Sequence, residues 1–329
     1  MVQRMYSLLF GVGIIRKSHA LTPARIDMSS LSSLPSATTP TSSSRLGFSF
    51  TPGGLLFPYH LGVAKCLEME GYLASDTPLA GSSAGALAAV VIGSGLSLDT
   101  AVELSGQVFE DCREGGAAFR LKGVVARGLD DALPEDAHEL INNRKGAVTV
   151  GVTQLFPTPK GVFVSKFDSK ADLIEVVLGS CHVPFWLSGW PYMQVRGKAT
   201  VDGFFSMPRG KFGAPAIPTA DEIVRISVFP TTSFKIDSDK PGDLISPDLL
   251  DRYRSGRFAE LLTYAVNPAS ELVMEELFKA GFESGAWAQE IWTTEKARQG
   301  LVDLCTWCRR TPDPCTLKLH VKLLTLGIG

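Results

Sequence analysis

A chain of 329 residues with 45% apolar side chains has material for one large α/β domain or two small ones and for a real core. Its formal charge of −2, from 32 basic and 34 acidic side chains, leaves no electrostatic case for nucleic acid, and no Lys/Arg cluster interleaves with aromatics. No apolar run reaches the roughly 18 residues of a membrane span, so any meeting with lipid is from the surface, and six scattered cysteines read as mostly reduced thiols.

Residues 1–45 read as an appendage. Met1–Ala24 holds no acid and carries Arg4, Arg16 and Lys17, and Ser29–Ser44 is dominated by Ser and Thr, with Pro35 and Pro40 breaking any helix. That composition predicts an organelle presequence for plastid or mitochondrion. A disordered tail on a protein of the cytoplasm or lipid droplet is the alternative.

Leu46–Phe50 reads as the first strand. It feeds Thr51-Pro52-Gly53-Gly54, and Tyr59–Glu70 is helical in pattern, stopping at Gly71. A strand, a glycine pair and a helix start leave backbone N–H groups free. Gly53 and Gly54 are thus candidates for an oxyanion hole in acyl transfer, or the turn simply needs glycine. Next, Pro78-Leu79-Ala80 runs into Gly81-Ser82-Ser83-Ala84-Gly85 and an apolar helix through Ile92. Gly-x-Ser-x-Gly between strand and helix is the setting of a nucleophile elbow with Ser83 at its corner. A glycine- and serine-rich turn capping a helix is the bland reading.

Further on, Ser97 starts a helix that Gly115-Gly116 breaks. Phe119–Asn143 reads as more helix, restarted at Pro134. Ala147–Thr153 and Gly161–Ser165 read as strands, and Ser169 with Asp172 makes a capping-box-like start for a helix through Leu178. Gly179–Trp186 is an apolar aromatic loop. Gln194–Gly203 is hairpin-like and ends its second strand at Asp202, either a carboxylate facing a cleft or an ordinary turn aspartate before glycine. Glu222–Phe229 is a further strand, and residues 257–296 look helical.

Four ordered blocks then make a resemblance. They are Gly53-Gly54 with Tyr59-His60-Leu61-Gly62-Val63, Gly81–Gly85 with Ala86-Leu87, Ser180-Cys181-His182-Val183-Pro184-Phe185, and Arg196-Gly197 with Val201-Asp202-Gly203. Over residues 46–260 the chain resembles the patatin-like phospholipases, most closely the animal-type branch of adiponutrin and adipose triglyceride lipase. The resemblance implies a three-layer α/β/α sandwich with a mostly parallel central sheet. It also implies a serine lipid acyl hydrolase cleaving glycerolipid esters through a Ser83–Asp202 dyad, with no cofactor and no metal. A serine hydroxyl needs a positioned base, and burial beside a lipid pocket would raise the proton affinity of Asp202. Phe185, Trp186, Trp190 and Tyr192 either line an acyl channel or belong to the core. The implied partners are a lipid ester and a membrane or droplet surface.

Three departures stand out. Pro52 replaces the first oxyanion glycine and has no N–H, Phe57 replaces a later glycine, and Phe204 follows Asp202-Gly203. A lipid-binding protein without turnover is therefore one alternative. Another is an α/β-hydrolase triad of Ser83, an aspartate and His320, in that chain order. No histidine pair has metal-ligand spacing, and Cys305, Cys308 and Cys315 lack a fourth ligand. The organisation expected is residues 1–45 as presequence or tail, 46–265 as catalytic domain, and 266–329 as a helical extension that packs on the domain or contacts lipid.

Overall fold

The computed structural model describes residues 45–206, 209–234, 236–240, 242–250 and 258–310. Residues 1–44 of the presequence-like segment, Cys315 and His320 lie outside them. Eight strands form one sheet in the order β5-β6-β3-β2-β1-β7-β8, with β4 pairing β3 off that path. The strands are β1 Leu46–Phe50, β2 Leu79–Ser82, β3 Val148–Gln154, β4 Lys160–Val164, β5 Met193–Val195, β6 Lys198–Asp202, β7 Glu222–Ile226 and β8 Leu244–Ile245. From β3 through β2, β1 and β7 to β8 all neighbours run parallel, while β4 and β6 lie antiparallel to β3. Every residue of β2 and nearly every residue of β1 and β3 is buried. Successive side chains point to opposite faces, so both faces of the sheet are covered, as a parallel sheet requires.

The covering helices are α1 Phe57–Met69, α2 Ala84–Gly93, α3 Leu98–Gly115, α4 Leu121–Ala132, α5 Ala137–Asn142, α6 Lys170–Ser180, α7 Phe258–Val266 and α8 Glu271–Arg310. The stretch 119–143 is two helices, α4 and α5, with the break at Leu133–Asp136 around Pro134. The helical stretch from 257 likewise divides at Asn267–Ser270, where Pro268 interrupts the pattern. Ser169 caps α6 through the Asp172 N–H at 3.1 Å. The Asp172 carboxylate, rather than closing the box on Ser169, accepts from the Asp168 N–H at 2.9 Å and grips the Arg196 guanidinium. Arg196 and Gly197 both have positive φ, 49° and 71°, which a two-residue hairpin between β5 and β6 demands.

α8 spans 40 residues and lies along α1. Contact is backbone to backbone. A Cβ added at Gly62 would fall 1.9 Å from the Phe278 carbonyl oxygen, and one at Gly281 would fall 2.1 Å from that of Tyr59. Ala280, Ser284, Gly285 and Ala288 continue the buried small-residue stripe of α8. No helix among the described residues is long and apolar enough to cross a membrane.

Candidate active site

One strand edge brings the two ends of the site together. β2 pairs with residues 148–151 of β3, β6 pairs with 152–154, and β4 pairs with 150–154. A strand has two edges, so β4 takes one while β2 and β6 share the other in succession. Ser82 therefore faces Gly151 and Asp202 faces the next residue, Val152. Where β2 turns away at Ser83, β6 ends beside it with Asp202.

Ser83 sits at φ 56° and ψ −127°, between β2 and the first turn of α2. The flanking glycines are needed sterically. A Cβ at Gly81 would lie 2.0 Å from the Gly85 carbonyl oxygen, and one at Gly85 would lie 2.3 Å from that of Phe50. The corner is pinned from behind, because the Ser83 N–H donates to Ser180 Oγ at 2.8 Å and the Ser180 hydroxyl donates to the Gly151 carbonyl at 2.7 Å. The first N–H groups of α2 gather at Ser83, giving that point a partial positive potential.

Asp202 is 2% exposed. Its backbone is held by His182, whose carbonyl accepts the Asp202 N–H at 2.9 Å, and by the Thr153 hydroxyl, which donates to the Asp202 carbonyl at 2.8 Å. Burial pushes the carboxyl from 3.8 up to about 7, against the smaller opposing pull of the Phe204 N–H and the Ser83 hydroxyl within hydrogen-bonding reach. At neutral pH the group is thus poised between acid and base. Gly203 is as tightly placed as the elbow glycines, since a Cβ there would meet the Gly151 carbonyl oxygen at 2.3 Å.

Gly53 and Gly54 lie at the end of β1, against the same corner. Gly54 has φ +55°, and a Cβ on it would sit 2.2 Å from the Ala265 carbonyl oxygen. Among the described residues no backbone carbonyl takes either N–H. Thr51, just before them, is anchored by His60, whose Nε2–H donates to the Thr51 carbonyl at 2.8 Å. Burial holds that imidazole down at about 4, so it stays neutral, and its proton must be on Nε2 because the carbonyl can only accept.

Two cavities meet at Ser83 and Gly54. The larger, about 110 Å³, is lined almost wholly by apolar groups and runs between α2, α3 and α4 to Trp186 and Leu187. The smaller, about 40 Å³, holds Asp202 together with Pro52, Phe204, Phe212 and Phe229. Phe57 faces the larger one. Pro52 packs against Gly213, where an added Cβ would lie 2.7 Å from its ring.

Of the four aromatics read as channel residues, Trp186 alone lines the apolar cavity and is buried. Phe185, Trp190 and Tyr192 do not line it. The Phe185 N–H and the buried His182 Nε2–H both donate to the Trp190 carbonyl, at 2.9 and 3.1 Å, closing residues 182–190 into a loop that leaves those rings on the outside. Ser180, His60 and Cys181 had no assigned role in the sequence reading. The signal was there for all three, since His60 stands in the first of the four blocks and Ser180-Cys181 opens the third. The buried Cys181 thiol, pushed well above its usual range by burial, reaches the Ser83 side chain from behind. Among the described residues no three His, Cys, Asp or Glu side chains gather to hold a metal, and Cys66, Cys112 and Cys181 are free thiols.

A family profile described as patatin-like phospholipase matches residues 49–210. Human patatin-like phospholipase domain-containing protein 4 is 32% identical over 252 residues, covering 72% of this chain and 94% of that protein. Human 1-acylglycerol-3-phosphate O-acyltransferase PNPLA3 is 32% identical over 162 residues, 47% of this chain, and the match spans only 33% of its length. Among solved structures, VipD from Legionella pneumophila aligns with a TM-score of 0.44 at 12% identity, covering 75% of this chain and 67% of that one.

Proposed function

The chain belongs to the patatin-like phospholipase family, and from that premise we propose that it is a serine lipid acyl hydrolase working through Ser83 and Asp202. The observation that carries the reading is the meeting of a serine at a positive-φ strand–helix corner with a buried carboxyl raised to about 7. A free aspartate near 3.8 is a weak base for a hydroxyl, whereas one near 7 takes its proton with far less loss. Ser83 Oγ attacks the ester carbonyl while Asp202 takes the hydroxyl proton. The Gly53 and Gly54 N–H groups stabilise the tetrahedral oxyanion, an effect on the order of 3–4 kcal/mol for such donors. Asp202 returns the proton to the leaving alcohol, and water activated by the same carboxylate then releases the fatty acid. The acyl chain occupies the larger cavity, whose apolar wall begins at Ser83.

A fluorophosphonate probe tests this directly. Wild-type protein is expected to label, Ser83→Ala to show no labelling, and Asp202→Asn to lose at least a thousandfold in hydrolysis rate. Absent labelling of wild type, or labelling that survives Ser83→Ala, overturns the reading. A protein that binds lipid without turnover is the second reading, favoured by Pro52, which faces the smaller cavity without an N–H to give. In the same assay His320→Ala separates the dyad, which keeps substantial activity, from a triad, which keeps almost none.

A further inference from the structure

A set of exposed aromatic side chains belongs to the loop of residues 185–192 and to Phe119, which is bonded to it. Phe119 is 62% exposed, Phe185 55%, Trp190 72% and Tyr192 39%. The Phe119 N–H donates to the Trp186 carbonyl at 2.7 Å. Its ring lies over Gly189, where an added Cβ would come within 3.4 Å of it. Phe119 and Phe185 both hold positive φ, 67° and 62°, a conformation that bulky residues adopt only at a cost. Two strained backbones thus present rings to solvent, beside a loop fastened by the buried His182.

What covers this face is indicated by its back and its rim. Behind it, Trp186 and Leu187, with Leu121 and Val125 of α4, form the outer wall of the apolar cavity that reaches Ser83. At the rim, residues 183–194 contain no charged side chain, while 117–128 bring Arg120, Lys122 and Arg127 and no acid. Arg120 and Arg127 share one carboxylate, Asp111, and among the described residues Lys122 makes no ion pair with an acid. The Lys122 N–H bonds the Leu187 carbonyl at 3.1 Å, which sets this lysine beside the aromatic loop.

We propose that this face docks on an anionic phospholipid surface, with Phe119, Phe185, Trp190 and Tyr192 in the interfacial layer and Arg120 and Lys122 at headgroup level. Tyr and Trp suit a boundary that is apolar on one side and wet on the other, and basic residues near the surface add attraction to acidic lipid. The inference rests on the reading of Ser83 as a lipid-ester nucleophile, since docking here sets the wall of the acyl cavity against the lipid that supplies the chain.

Flotation of the full chain with vesicles of phosphatidylcholine and phosphatidylglycerol tests it. The Phe185→Ser/Trp190→Ser variant is expected to lose about tenfold or more in vesicle association. Trp287→Ser/Leu272→Ser, which alters exposed apolar residues on α8, is expected to lose little, and phosphatidylcholine alone should bind wild type more weakly. As a readout needing no double variant, the tryptophan emission of wild type should shift to the blue on vesicles, and that shift should shrink in Trp190→Phe. Unchanged flotation of the Phe185/Trp190 variant overturns the proposal. So does a wild-type dimer that this variant converts to monomer, which would make the face a contact between copies. Fluorophosphonate labelling of Ser83 in detergent-free solution is read in parallel. Loss of labelling with retained vesicle docking sinks the nucleophile reading and leaves the surface standing.

Discussion

At the residue scale, Asp202 has the sharpest consequences. Its carboxyl is raised from 3.8 to about 7 by burial, so the base form fills only as pH climbs past neutrality. The rate constant kcat/KM for a soluble ester is therefore expected to rise about tenfold per pH unit below 7 and to level off above it; a flat profile from pH 5 to 8 would contradict the assignment. The same shift acts on stability with a definite sign. The folded state binds this proton more tightly than the unfolded chain, so the contribution is fully present below about 4 and lost as pH rises through 7. Asp202→Asn should accordingly be more stable than wild type at pH 8, by up to a few kcal/mol, with the gap closing near pH 4. Urea titrations at the two pH values check it. The sequence already singled out Ser83 and Asp202. It could not indicate that Ser180 pins the elbow from 97 positions away, or that the His60 ring turns back onto the Thr51 carbonyl nine residues before it, because neither contact leaves a local periodicity to mark it.

At the element scale, short motifs explain local shape while close approach explains the glycines. The corner at Ser83 was readable from Gly-x-Ser-x-Gly between an apolar strand and an apolar helix, and the β5–β6 hairpin from Arg196-Gly197. The packing of α8 on α1 was not readable. Gly62 looks like a weak point in a helix until the Phe278 carbonyl oxygen is seen 1.9 Å from where its Cβ would be. Gly62→Ala is expected to destabilise the protein by about 2–3 kcal/mol or more, despite the higher helix propensity of alanine. Chemical denaturation measures this, and a stabilised variant would mean that the two helices do not meet so closely. The aromatic loop shows the reverse failure. Four aromatic residues within eight positions suggested a channel, yet which of them face inward depends on the Trp190 carbonyl collecting two donors from residues that precede it.

At the scale of the whole molecule, the sheet positions the site and α8 packs along α1, away from both cavities. A chain ending at Val266 would bare α1 along the stripe that α8 now buries, including Gly62, Val63 and Cys66. Such a truncated chain is expected to aggregate or to melt well below the full chain, as size-exclusion and thermal unfolding would show; a soluble monomer with the same melting temperature would make α8 a dispensable extension. The sequence by itself determined the α/β class, the order of strands and helices as far as β7, and the family, because apolar period, glycine punctuation and ordered motif blocks are local properties of the chain. Only the tertiary structure decided that β6 takes the edge of β3 that β2 leaves at Ser83. That edge is shared because a parallel strand ending in a sharp turn leaves unpaired backbone groups, which a strand arriving more than a hundred residues later can satisfy. No local pattern carries that information, and it is what sets the carboxyl of Asp202 against the hydroxyl of Ser83.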